Sequence, residues 1–118
     1  MSGLEQVGGD TYEADVLQSP IPVVLDFWGP RCIPCIQLEP FVEELSERFA
    51  GRVKIAKVVA PQNRKLCITL KVMGLPTYLA FREGVEVARL TGEVTRESIQ
   101  NMVDSLVAGE PEQDMGAA

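Results

Sequence analysis

The most sustained apolar run in the chain is Val23-Val24-Leu25-Asp26-Phe27-Trp28, β-branched and aromatic with one carboxylate inside it. That composition predicts a strand buried on both faces, as in a parallel sheet. Apolar residues then recur at helical spacing at Leu38, Phe41, Val42, Leu45 and Phe49, with Glu39, Glu43, Glu44, Glu47 and Arg48 assigned to the opposite face. Pro40 falls within this helix and is expected to bend it rather than end it, because the spacing continues through Phe49. Ahead of the central strand, Leu4 to Val7 reads as a short edge strand. Asp10 and Glu13 give a capping-box signal for a first helix carrying Tyr12, Val16 and Leu17, which Ser19-Pro20-Ile21-Pro22 ends.

The second half continues the alternation. Val53 to Val59 reads as a strand reached by a right-handed crossover, Asn63 to Leu70 as a third helix, and Tyr78 to Phe81 and Val85 to Leu90 as a hairpin joined by Arg82-Glu83-Gly84. Ile99, Met102, Val103 and Leu106 mark a last helix, with Thr95 as its N-cap and Val94 placed to staple onto Ile99. The order β-α-β-α-β-α-β-β-α predicts an α/β domain, a mixed sheet with helices on both faces. Residues 109–118, polar and ending in small side chains, are expected to form a disordered acidic tail beyond a single domain at 1–108.

The candidate chemistry sits where the central strand hands over to its helix, at Gly29-Pro30-Arg31-Cys32-Ile33-Pro34-Cys35. Two thiols separated by two residues can close and reopen a small disulfide ring when held at the first turn of a helix. Unpaired backbone N–H groups and the positive end of the helix dipole favour a thiolate there. Cys32, at the helix start, is therefore the expected attacking sulfur. Cys35, nearly a turn further in and better shielded, is the expected resolving thiol. The competing readings are a pair of small buried hydrophobes, half of a metal site, or a cluster shared by two subunits. A structural zinc site needs four ligands, and Cys67 is the one further cysteine. Cys67 itself shares an apolar helical stripe with Leu66 and Leu70 and reads as packing.

Composition narrows the function further. The 118 residues suffice for one core, and 46% are hydrophobic. Eleven basic against seventeen acidic residues leave a net charge of −6, which argues against nucleic acid or anionic membrane as partners. With no histidine, Ser-His and Cys-His catalysis and the commonest zinc ligand are all excluded. The start of the chain lacks the basic and apolar regions of a leader, and no stretch approaches membrane-spanning length. A cytoplasmic monomer is expected, a compartment where a Cys-x-x-Cys serves catalysis or metal binding rather than structure.

The stretch Asp26 to Cys35, together with Met73-Gly74-Leu75-Pro76-Thr77 and Phe81-Arg82-Glu83-Gly84 followed by Thr91-Gly92, resembles the thioredoxin family in order and spacing from about Leu4 to Leu106. The resemblance implies the thioredoxin fold, a central mixed sheet of four to five strands flanked by four helices, and a protein disulfide reductase. Its partners would be disulfide-containing target proteins and a separate thioredoxin reductase, with no bound cofactor or metal. It further implies that Asp26 is a buried acid exchanging a proton with Cys35, with Lys57 as the internal lysine near it. Pro76 would follow a cis bond, and the backbone of Leu75 would pair with the target chain as an added strand. Trp28, Ile33, Gly74 and Gly92 would supply apolar surface around the sulfurs, and Pro34 would lie between them.

The chain departs from the family's usual Trp-Cys-Gly-Pro-Cys-Lys in having Arg31-Cys32-Ile33-Pro34-Cys35-Ile36, and Ala60-Pro61 stands where an aspartate is common. Arg31 places a positive charge beside the expected thiolate. The alternatives are a thiol oxidase or isomerase of the same fold and a non-catalytic binding module.

Overall fold

In the computed structural model, residues 4–108 are described; the tail expected at 109–118 lies outside the described residues. Among the described residues five strands form one sheet: β1 (Glu5–Gln6), β2 (Val23–Trp28), β3 (Lys54–Val59), β4 (Thr77–Arg82) and β5 (Val85–Thr91). Their spatial order is β1-β3-β2-β4-β5, with β3 parallel to both β1 and β2 and with β2-β4 and β4-β5 antiparallel. The helices are α1 (Ile33–Arg48), α2 (Arg64–Thr69) and α3 (Arg96–Ala108), with a π-helical turn at Glu13–Leu17 and a 3-10 turn at Ala60–Gln62. This is the expected α/β arrangement, a thioredoxin fold with a mixed sheet covered on both faces. Among the described residues no helix is long and apolar enough to cross a membrane.

Period-two alternation in β2 decides what each face holds. Val23, Leu25 and Phe27 point into a core shared with Val16 of the π-helical turn and Leu66 of α2. Val24 points the other way, into a core with Leu38, Val42 and Leu45 of α1 and Ile99, Val103 and Leu106 of α3. Asp26 falls on this second face, two residues on from Val24. It lies in register with Lys57 of β3 on one side and Tyr78 of β4 on the other. The single carboxylate of the strand is thus placed beneath α1.

Two local expectations need comment. The capping box at Asp10 and Glu13 does not form. Thr11 instead closes a turn with Gly8, its N–H donating to the Gly8 carbonyl at 3.1 Å and its hydroxyl accepting from the Gly8 N–H at 3.0 Å. Helical structure is thereby delayed to the five residues Glu13–Leu17, and Tyr12 at the N-cap has no side-chain cap bond. At the other end of the chain Thr95 does cap α3: its hydroxyl accepts from the Ser98 N–H at 3.0 Å while the Ser98 hydroxyl accepts from the Thr95 N–H at 2.9 Å. Pro40 lies inside α1, which continues to Arg48.

Candidate active site at the start of the second helix

Cys32 is the N-cap of α1, in extended backbone conformation, with Pro34 in the first helical turn. Its sulfur accepts a hydrogen bond from the Cys35 N–H at 3.2 Å. The two sulfurs are joined as a disulfide, with Cα atoms 5.2 Å apart. Cys32 is half-buried at the surface whereas Cys35 is only 2% exposed. This asymmetry fits an attacking sulfur that meets a target and a resolving sulfur that does not. When the pair is reduced, the N–H that now points at Cys32 is a donor for its thiolate, added to the dipole of a sixteen-residue helix.

Opposite the sulfurs lies the loop ending in a cis Leu75-Pro76 bond. It is anchored by the Arg89 guanidinium of β5, which donates to the carbonyls of Leu70 and Lys71 at 2.7 and 2.9 Å, and by the Thr77 hydroxyl, which donates to the Gly74 carbonyl at 2.6 Å. Between loop and disulfide runs a groove of about 530 Å³ lined by Gly29, Pro30, Arg31, Cys32, Pro61 and Leu75. A Cβ on Gly29 would sit 3.3 Å from Leu75 Cδ1 and 3.6 Å from Pro61 Cδ, so only glycine leaves the strand end this close to the loop without displacing a neighbour. Ile33 is 61% exposed, Leu75 37% and Met73 94%. Large apolar side chains left in water around a chemical centre mark a contact surface. A second groove, of about 400 Å³, continues this surface past Met73 to Ile68, with Arg64 on its rim and Cys67 in its wall. Cys67 is half-buried, packs against the core on the α2 face of the sheet, and burial pushes its thiol up from its ordinary value.

Of the remaining expected residues, Gly74 and Gly92 are exposed and line the loop side, Gly92 with φ +76°, a conformation suited to glycine. Arg31 is exposed beside Cys32. Trp28 is half-buried, and its ring carries the Lys57 ammonium 4.5 Å from the centroid.

Asp26 is 2% exposed, and its Oδ1 makes no hydrogen bond among the described residues. Burial pushes its carboxyl up to about 7; the Glu39 charge adds to the rise, and the Lys57 charge and the Tyr78 hydroxyl oppose it. The Tyr78 oxygen is itself buried without a well-formed hydrogen bond. Burial, with the Asp26 charge next to it, holds the phenol above its ordinary value.

Lys57 is buried in register with Asp26, but its ammonium bonds Glu39 Oε2, at 2.9 Å. Glu39 was assigned to the solvent face of α1; its side chain is instead only 20% exposed and turns inward to the lysine. The signal was its position four residues after Cys35, which places both on one stripe of the helix. Tyr78 and Gly29 were also missed as parts of the site, because cross-strand register and close approach become visible only once the sheet is assembled.

The Thioredoxin family model matches residues 3–105. Among similar proteins, thioredoxin 1 of Nostoc sp. is 31% identical over 104 residues, covering 88% of this chain and 97% of its own. Thioredoxin 1 of Synechococcus elongatus is 33% identical and thioredoxin of Haemophilus influenzae 34%, with the same coverage. With this match over most of its length, and with Cys32 and Cys35 joined at the head of α1, the chain belongs to the thioredoxin family and is a thiol–disulfide oxidoreductase.

Proposed function

We propose that the protein reduces disulfides of folded target proteins as a cytoplasmic, monomeric thioredoxin-type carrier, with Cys32 attacking and Cys35 resolving. The observation that carries this assignment is the asymmetry of the pair, one sulfur capping α1 at the surface and the other buried behind it. The target chain lies along the groove, with the backbone N–H and C=O groups of Leu75 pairing with it as an added strand. Trp28, Ile33, Pro34, Gly74, Pro76 and Gly92 frame that contact, and Arg31 flanks the reacting sulfur. The functional unit is one domain, residues 1–108.

The exchange has two steps. The Cys32 thiolate bonds to one target sulfur, the target S–S bond breaks, and the departing target thiolate takes up a proton from solvent. Cys35 then loses its proton, with the Asp26 carboxylate as acceptor, and attacks Cys32 Sγ. The mixed disulfide breaks, the second target thiolate leaves and is protonated, and Cys32 and Cys35 remain oxidised. Two electrons have passed to the target, and a separate thioredoxin reductase returns them.

Insulin reduction driven by dithiothreitol tests the assignment. Wild-type protein should accelerate precipitation of the insulin B chain, while Cys32→Ser should give the rate of buffer. Equal rates for the two proteins would reject it.

A further inference from the structure

The ion pair beneath the active site is not the one that strand register suggests. Asp26 and Lys57 are directly paired neighbours on adjacent parallel strands, so the lysine is placed to neutralise the aspartate. Its ammonium is drawn instead to Glu39, at 2.9 Å, and rests over the Trp28 ring at 4.5 Å. Glu39 stands one helical turn beyond Cys35 on α1, so the residue that captures the lysine moves with the helix bearing the resolving sulfur.

We propose that Glu39 is a positioning residue for the release step: by holding the Lys57 ammonium away from Asp26, it keeps the Asp26 carboxyl able to carry a proton at neutral pH and so to exchange one with Cys35. The proposal rests on the resolving role assigned to Cys35. Both effects of Glu39 on Asp26 have the same sign. Its negative charge disfavours a second one nearby, and its bond to Lys57 occupies the cation that would otherwise stabilise the Asp26 carboxylate.

Among the described residues, the charged and polar groups acting on Asp26 are Lys57 from β3, Tyr78 from β4 and Glu39 from α1, while α3 contributes the apolar Ile99, Met102 and Val103 to the core on this face. Glu39 differs from Asp26 in reaching solvent, since one fifth of its side chain is exposed against almost none of the aspartate. Its carboxylate therefore keeps part of its hydration while bonding the lysine, whereas the aspartate has almost none.

Glu39→Gln keeps the shape and removes the charge. The titration of the Asp26 carboxyl should be followed by carbon NMR in the oxidised protein, a readout that needs no turnover and is independent of which cysteine attacks. In Glu39→Gln its midpoint should fall by about one pH unit, the size expected when an ammonium becomes free to approach a carboxylate. An unchanged midpoint would overturn the proposal. A second variant separates the route. In a Lys57→Met background the same Glu39→Gln change should move Asp26 much less, because there is no cation to release. Equal shifts in the two backgrounds would show that Glu39 does not act through the lysine, and would also overturn it. In the reduced protein, the pH midpoint for release of a preformed mixed disulfide should follow the Asp26 titration downward. A slower release with an unmoved midpoint would mark Glu39 as merely structural.

Discussion

Lys57 Nζ lies 2.9 Å from Glu39 Oε2, although the strand partner of Lys57 is Asp26. A buried ammonium needs a hydrogen-bonded counter-charge, and the helix supplies one that the sheet also offered. The aspartate keeps the cation only as a nearby charge, which does not offset the cost of its burial. Two carboxylates near one lysine are thus treated differently, Glu39 paired with it and Asp26 left without an ion-pair partner among the described residues.

That division makes stability depend on pH in a definite direction. The Asp26 carboxyl is raised from 3.8 to about 7 in the folded protein. Its contribution is therefore fully present below about pH 4 and is lost as pH rises through 7, because ionising it is easier in the unfolded chain. Asp26→Asn, which keeps the shape and cannot ionise, should be more stable than wild type at pH 8 by a few kcal/mol at most, on the order set by the shift. Near pH 4 the two should be nearly equal. Urea unfolding at both pH values checks this, and a variant less stable at pH 8 would refute it.

The exposed Arg31 should assist Cys32 electrostatically. Arg31→Gln in the reduced protein should slow alkylation of Cys32 by iodoacetamide at neutral pH by about two- to fivefold, the scale of an exposed charge pair. In 0.5 M salt the difference should shrink toward nothing, since screening removes the interaction of solvent-facing charges. Alkylation rates at low and high salt measure both parts. A difference that persisted in salt would mean that Arg31 acts through packing instead.

Much of this site could be read from sequence because its signals are local. Cys32 and Cys35 announce themselves by spacing, β2 by its apolar run, α1 by its periodicity, and the start of α3 by Thr95. The cis bond before Pro76 was reached through family resemblance, not through any local rule. What escaped depends on assembly. Glu39 looked like one more acid on a polar helix face, and only the arrival of Lys57 across the sheet turns it inward. Tyr78 became a neighbour of Asp26 through the register of β4 on β2. The first helix formed without its expected cap, because Thr11 turns back onto Gly8 and no Asp10–Glu13 box begins it.

Met73 is 94% exposed on the loop beside the sulfurs, so a charge there should disturb target binding without touching the chemistry. Met73→Glu should raise KM for insulin about tenfold, corresponding to burying part of one large apolar side chain in the complex. Its reduced Cys32 should react at the wild-type rate with a small aromatic disulfide. Steady-state insulin kinetics and a stopped-flow thiol assay give the two numbers; equal losses in both would place the effect on the sulfur instead of on the groove.

The direction of exchange is tested most directly by trapping. Reduced Cys35→Ser mixed with insulin and quenched with acid should yield, by intact mass spectrometry, a covalent adduct of one insulin chain on Cys32 that dithiothreitol releases. Cys32→Ser treated identically should yield none. Adduct formed through Cys35 in the Cys32→Ser protein, or adduct found on Cys67 in place of Cys32, would contradict the assignment of Cys32 as the attacking sulfur.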